Sequence, residues 1–351
     1  MKIETVKTVS QNILRSVTIS VIALLSVSVV FASCDKDEDD SETLLTLDGS
    51  PIFDLPIYAM VGDTIEMHAS GVYTPKSTYE WSYEGLDTLY ESDDMLTLKV
   101  IAPDSLATYS VTLTADCGDE YYSSSLTQFI TILDKSSLSG LAVSRNSFTD
   151  PRDNKIYGFV EIGNLQWMDR NLNWEGAGQG FGGTEAAAVL FGRLYTWNDA
   201  TGGVSATGLG NGVQGVCPPG WGIPTDEDWI DLAKAVNGGK DVAFIDNWTG
   251  IAPDLMAAAV FNGSAVWTYS PDVTPNNKYG WNALAAGCAQ TNYSHYNNML
   301  KYGFWWSSTE KDSKNAHYRY MYNEFPDFSV NYCAKDGMAA SVRCVRLIGE
   351  N

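Results

Sequence analysis

An aromatic side chain can do one kind of chemistry without an acid, a base or a metal. Its flat face stacks on the C–H face of a sugar ring, while nearby amides and carboxylates take the hydroxyls. The sequence carries 11 Trp and 19 Tyr in 351 residues, and ten of the Trp follow residue 148. Trp174, Trp248 and Trp267 stand in NLNWEGAGQG, DNWTG and VWTYSPD, and Tyr293 and Tyr296 in QTNYSHYNN, segments rich in Gly, Asn and Thr. With Tyr269 and Trp305 they form the candidate carbohydrate-binding set. Trp305 precedes Trp306 in KYGFWWSSTEKD. Side chains alternate across a strand, so Phe304 and Trp306 share one face, read as core. Trp305 then faces the other way and is read as the edge of a ligand platform.

Acid–base and metal chemistry find less support. Only His68, His295 and His317 are present, with no HExxH and no GxSxG. Among 43 acids chance pairs are inevitable, so a two-carboxylate glycosidase is not excluded by counting. Trp197-Asn198-Asp199 spells the WND of calcium-dependent lectins, yet no EPN or QPD triplet precedes it. No catalytic residue, metal ligand or cofactor is assigned. An acidic surface collects calcium adventitiously, so an ion alone would not establish a lectin mechanism.

The elements that must position these rings begin behind a targeting segment. Residues 1–33 have a basic start (Lys2, Lys7, Arg15) and an apolar run ending in small residues, as a secretory signal does. Phe31-Ala32-Ser33-Cys34 resembles a bacterial lipobox, which implies that Cys34 becomes the lipidated first residue; a plain cleaved signal is the alternative. The acidic tether, residues 34–44, resembles the surface-export signal of Bacteroidetes lipoproteins. The expected location is the outer membrane, lipid-anchored and exposed on the cell surface, with a periplasmic lipoprotein as the alternative.

Formal net charge is −21, and residues 1–33 carry three bases and one acid, so their removal leaves −23. Such a chain has nothing with which to release phosphate counterions, which argues against nucleic acid. Residues 45–135 show short alternating runs rich in Thr, Val, Ile and Tyr, broken by Gly, Asp and Pro about every ten residues, the rhythm of a β-sandwich. Trp81 sits where an Ig-like core Trp is expected, and Thr108–Leu113 resembles the penultimate strand of PKD and bacterial Ig-like domains. The WDFGDG stretch of PKD domains is absent. A polar linker, 136–147, leads to residues 148–349. There the spacing predicts one convincing helix, PTDEDWIDLAKAVNGG, with Thr225 as N-cap, acids in its first turn and Gly238 past its end.

Seven ordered blocks in the second half carry a family resemblance. They include Val160–Met168, Gly192–Trp197, Cys217–Thr225, Gly280–Leu284, Trp305–Glu310, Tyr318–Tyr320 and Ser341–Val345. This pattern resembles the Fibrobacter succinogenes major paralogous domain, which looks C-type-lectin-like. The expected fold is therefore multidomain: an N-terminal all-β Ig-like (PKD-type) sandwich, then a loop-rich α+β C-type-lectin-like domain. Cys217 and Cys344 both fall in family blocks and are paired first; Cys288 with Cys333 is the second pairing, and Cys117 the odd thiol. A copper-type catalytic pair at Cys288 and Cys333 would require both to be close and reduced; a structural bridge or unrelated thiols are the preferred readings.

The organisation is similar to the auxiliary surface glycan-binding proteins of Bacteroidetes polysaccharide utilisation systems. The resemblance implies a non-catalytic binder of polysaccharide or oligosaccharide, first a neutral β-glucan, working beside a SusD-like protein and a TonB-dependent transporter. A fimbrial-tip or host-protein adhesin and a glycoside hydrolase are the alternatives.

Overall fold

The computed structural model describes residues 51–70, 77–119 and 121–349. Cys34 and the tether lie outside the described residues. Among those described, no helix is long and apolar enough to cross a membrane.

Alternation in the first half produces two four-stranded sheets. Strands β1 (Ile52–Phe53), β3 (Thr64–Ser70), β6 (Thr97–Ile101) and β5 (Asp87–Glu91) form one in the order 1-3-6-5. Strands β2 (Tyr58–Met60), β8 (Ser124–Leu133), β7 (Thr108–Asp116) and β4 (Thr78–Tyr83) form the other in the order 2-8-7-4. Ile65, Met67, Leu98, Val100, Val111, Leu113, Ile130 and Ile132 point inward between them. Trp81 is buried in this core. Its ring meets Phe53 edge-on at 5.1 Å, and Nε1 donates to Met95 O at 2.7 Å.

The connecting segment is tied down along its length. Asp134 caps a 3-10 turn at Lys135–Ser137, β9 (Leu138–Ser139) pairs with β15 (Val260–Phe261), which also pairs β16 (Ser264–Ala265), and the Asn282 side chain bonds both N and O of Ala142. Tyr58 meets Phe261 edge-on at 5.9 Å. The sandwich and the second half of the chain thus share a packed apolar junction.

In that second half, β10 (Asn146–Thr149), β11 (Ile156–Ile162), β12 (Leu165–Met168) and β23 (Val345–Leu347) make an antiparallel sheet in which Trp167 lies opposite Val345. A larger sheet runs β14 (Trp248–Thr249), β21 (Asp327–Ala334), β20 (Asn315–Tyr322), β19 (Tyr302–Glu310), β22 (Ala339–Ser341), β17 (Cys288–Ala289), β18 (Tyr296–Asn297), with β13 (Leu194–Thr196) also pairing β22. Two short helices, α1 (Glu185–Phe191) and α2 (Trp197–Thr201), flank β13. Helix α3 (Asp226–Val236) starts in a reciprocal capping box: Thr225 Oγ1 accepts from Asp228 N at 3.2 Å, and Asp228 Oδ2 from Thr225 N at 2.9 Å.

Both faces of the larger sheet are covered. Trp305 and Met321 project into a core with Trp167, Trp229, Trp281 and Phe328; Trp306 and Ala316 project into a second core with Tyr195, Trp197 and Cys217. A disulfide joins Cys217 to Cys344 across 127 residues of sequence.

Candidate functional site

The aromatic set divides sharply on burial. Trp305 is 0% exposed, Trp248 3% and Trp267 3%. Trp305 packs on Trp281 at 5.2 Å and Phe328 at 5.9 Å, with Nε1 donating to Asn171 Oδ1 at 2.8 Å. Trp248 lies against Phe328 and under the Arg319 guanidinium, and its Nε1 donates to Ala243 O. Trp267 donates to Ala283 O at 3.0 Å. These three are core residues, which corrects their assignment as stacking partners. The alternation argument placed Trp305 opposite Trp306 correctly, but β19 is a central strand with a core on each side. Polar flanks misled for Trp248 and Trp267, because Trp248 starts the edge strand β14 and Trp267 lies buried in a loop, and a backbone carbonyl satisfies each indole N–H.

Trp174 is half-buried, its ring lying over Gly176, where an added Cβ would meet ring carbons at 2.1 Å, and the Arg152 guanidinium covers it at 4.5 Å. Tyr293 and Tyr296 are also half-buried; their hydroxyls donate to Leu194 O at 3.1 Å and Gln179 Oε1 at 2.8 Å. Only Tyr269 is widely open, at 83%.

A different aromatic group occupies the face that β19 and β20 share beyond the second core. The register sets Tyr302 opposite Tyr322, Phe304 opposite Tyr320 and Trp306 opposite Tyr318, all on one side. Tyr302 and Tyr322 stack at 4.2 Å and 13°, Tyr302 and Phe304 at 5.5 Å and 4°, and Phe304 and Tyr320 at 6.0 Å and 30°. Trp306 and Phe304 are covered, but Tyr302, Tyr318, Tyr320 and Tyr322 remain half-buried. Tyr302, Tyr322, Phe304 and Tyr320 stand close to parallel with their faces meeting, while Tyr318 meets Phe304 and Trp306 edge-on. One open ring flanks the row. Phe325, 56% exposed, leans on Tyr322 at 5.5 Å. The Tyr269 loop is tied to the same strand ends, because Asn323 Nδ2 donates to Thr268 O at 2.9 Å and Thr268 N to Leu300 O at 3.0 Å.

The electrostatics favour neutral phenols. A hydrogen bond to Glu324, with some burial, pushes Tyr322 up to about 12. Burial pushes Tyr318 to about 12, with the nearby Cys333 thiol adding to it. Period-two aromatics in Tyr302-Gly303-Phe304 and Tyr318-Arg319-Tyr320-Met321-Tyr322 are the signal in the sequence for this row. It is easily missed, because Tyr318 and Tyr320 lie inside a family block, where scaffold packing is the default reading.

Cys288 and Cys333 border this face and are not bonded to each other, which corrects the second pairing. The two thiols lie near enough for Cys288 to add to the rise at Cys333. Burial pushes the Cys333 thiol up to about 11 and raises Cys288 too, so both stay protonated and slow to oxidise at neutral pH.

Ser307 Oγ donates to Asp226 Oδ1 at 2.5 Å and His317 Nδ1 lies 2.9 Å from Asp226 Oδ2. Both side chains address the same carboxylate rather than each other, so His317 is not placed as a base for Ser307. The WND triplet is the first turn of α2, with Trp197 fully buried and Thr196 Oγ1 capping Asp199 N. Among the described residues no three or more His, Cys, Asp or Glu gather as a metal site.

The family model for the Fibrobacter succinogenes major domain matches residues 160–346, more than half of the chain. The chain belongs to that family. A comparison with curated proteins gives no match. Among solved structures, the crystal structure of the titin M3 domain is similar at 18% identity, over 23% of this chain and 95% of that one, with a TM-score of 0.16. A likeness at that score carries no argument.

Proposed function

We propose that this member of the Fibrobacter succinogenes major domain family is a surface-anchored, non-catalytic glycan-binding protein. Its second half is read as C-type-lectin-like, and its first half as an immunoglobulin-type sandwich that holds the binding face off the membrane. The strand orders 1-3-6-5 and 2-8-7-4 support the latter reading. The observation that carries the proposal is the row of half-buried tyrosines on β19 and β20, flanked by the open ring of Phe325, with the exposed Tyr269 on a loop tied to the same strand ends. Open ring faces take the C–H side of a pyranose, and the row offers hydroxyls that donate to and accept from sugar hydroxyls. Rings already packed against each other lose little freedom when a ligand arrives. A neutral β-glucan suits the acidic chain best, captured beside a SusD-like protein and a TonB-dependent transporter.

The test is retardation of the folded protein in native gels containing β-glucan. Tyr269→Ala with Tyr322→Ala should weaken binding by roughly thirty-fold or more, the scale of an aromatic hot spot. Undiminished retardation in that double variant, or none in the native protein with any neutral glucan, would refute the site or the reading respectively. Tyrosine rims also suit protein partners, which supports the adhesin as second reading. That reading predicts cell or protein binding by the same face and no retardation by glycan.

A further inference from the structure

We propose a second ligand site, independent of the glycan reading: the cleft where the connecting segment passes α1, suited to a small amphipathic anion such as an aromatic carboxylate. The cleft holds about 560 Å³, within the range of roughly 300–1,000 Å³ usual for small-molecule sites. Its apolar wall is formed by Leu138 and Leu141 from the connecting segment and by Val189 from α1. Lys135, Lys155 and Arg170 reach the cleft, and no Asp or Glu lines it. In a chain with 43 acids and 22 bases, a wall of that sign runs against composition.

The acids stand behind the cations and fix them. Lys155 Nζ bonds Glu175 Oε1 at 2.8 Å, Asp153 Oδ2 at 3.5 Å and Asn173 O at 2.6 Å. Arg170 is held to Asp169 Oδ1 through Nε alone, at 3.2 Å. Among the described residues its two terminal nitrogens hydrogen-bond no carboxylate and can face a ligand carboxylate, which a guanidinium fork matches bidentately. Lys135 makes no ion pair among the described residues. A ligand with an anionic end at Arg170 and a flat apolar body against Leu141 and Val189 uses both properties. A fully hydroxylated neutral sugar would leave the apolar wall poorly covered, which separates this cleft from the tyrosine face.

The experiment uses the full folded chain and anilinonaphthalene sulfonate, an amphipathic anion that fluoresces when it leaves water. Saturable binding should be displaced by cinnamate and not by cinnamyl alcohol. Affinity should fall about tenfold or more in Arg170→Gln, the scale of a lost charge-assisted bond. Val189→Trp, on an exposed helix position, should block the cleft, and Tyr269→Ala should change nothing. Retained affinity in both Arg170→Gln and Val189→Trp, equal displacement by the alcohol, or absence of saturable binding would each overturn the proposal. Glucan retardation measured on the same variants tells failure of this site from failure of the tyrosine face.

Discussion

Trp305→Ala separates a core role from a binding role more cleanly than any other single change. The indole is completely enclosed, touches Trp281 and Phe328, and donates to Asn171 Oδ1. Truncating a buried Trp to Ala costs about 3–5 kcal/mol through lost burial and the cavity left behind. Loss of the indole bond adds about 1 kcal/mol. Nothing more is due from Asn171, because Arg343 Nη2 still donates to its Oδ1 at 2.9 Å. The sum, about 4–6 kcal/mol, is a large part of the roughly 5–15 kcal/mol that holds a domain folded. In guanidinium titrations with an m-value near 5 kcal/mol/M, the midpoint should drop by roughly 1 M with its slope unchanged. Near-ultraviolet circular dichroism and fluorescence of the ten remaining Trp give two independent readings. Tyr322→Ala, half-exposed, should shift the same midpoint by no more than about 1 kcal/mol equivalent. If Trp305→Ala keeps the native midpoint yet loses glucan retardation, Trp305 is a ligand contact and the core placement is wrong.

Replacing Cys217 and Cys344 with Ser opens a loop of 127 residues and should cost roughly 5 kcal/mol in the chain-entropy picture, measured as a fall in melting temperature. Cys288→Ser should leave that temperature nearly unchanged. Arg343 is fully buried and donates to Met168 O, Trp281 O, Asn171 Oδ1 and Asn282 O. Lysine cannot reproduce that fork, so Arg343→Lys should destabilise by about 3 kcal/mol or more in the same titration. Tyr318 and Tyr322 hold their protons more tightly when folded, at about 12 against 10.0. The stability they contribute is whole below pH 10 and is lost as pH rises toward 12. Absorbance at the phenolate band should therefore rise late in the native protein, and Glu324→Gln should bring part of it earlier.

How much a sequence discloses depends on how local each signal is. Helix α3 was legible because its cap, first-turn acids and terminal glycine are all contiguous. Strands β3, β7 and β8 were legible because one face of each meets a single core. The two bridged cysteines were found through the blocks around them, since spacing alone leaves several pairings open. Trp305 shows the limit: period two says which side a ring takes, but not whether that side is covered. Coverage depends on residues such as Trp281 and Phe328, distant in sequence. The row of tyrosines needed the β19–β20 register, which sets Tyr302 against Tyr322, before its rings could be seen as one surface. The cleft beside α1 depends on where the connecting segment lies, and its Ser-rich composition gives no hint that it is pinned.

The pairing of β12 with β23 has a mechanical corollary. Asn146 and Leu347, near the two ends of the second half, lie in the same small sheet, separated by β11 and β12. Tension applied between those ends runs sideways through three strand pairs, the last of which anchors Trp167 and Val345 in the tryptophan core, and it bypasses the tyrosine row. A pull applied at the β19–β20 face enters elsewhere, through long strands flanked by both cores. Load on the face and load on the ends therefore enter by different strands, which meet in the tryptophan core.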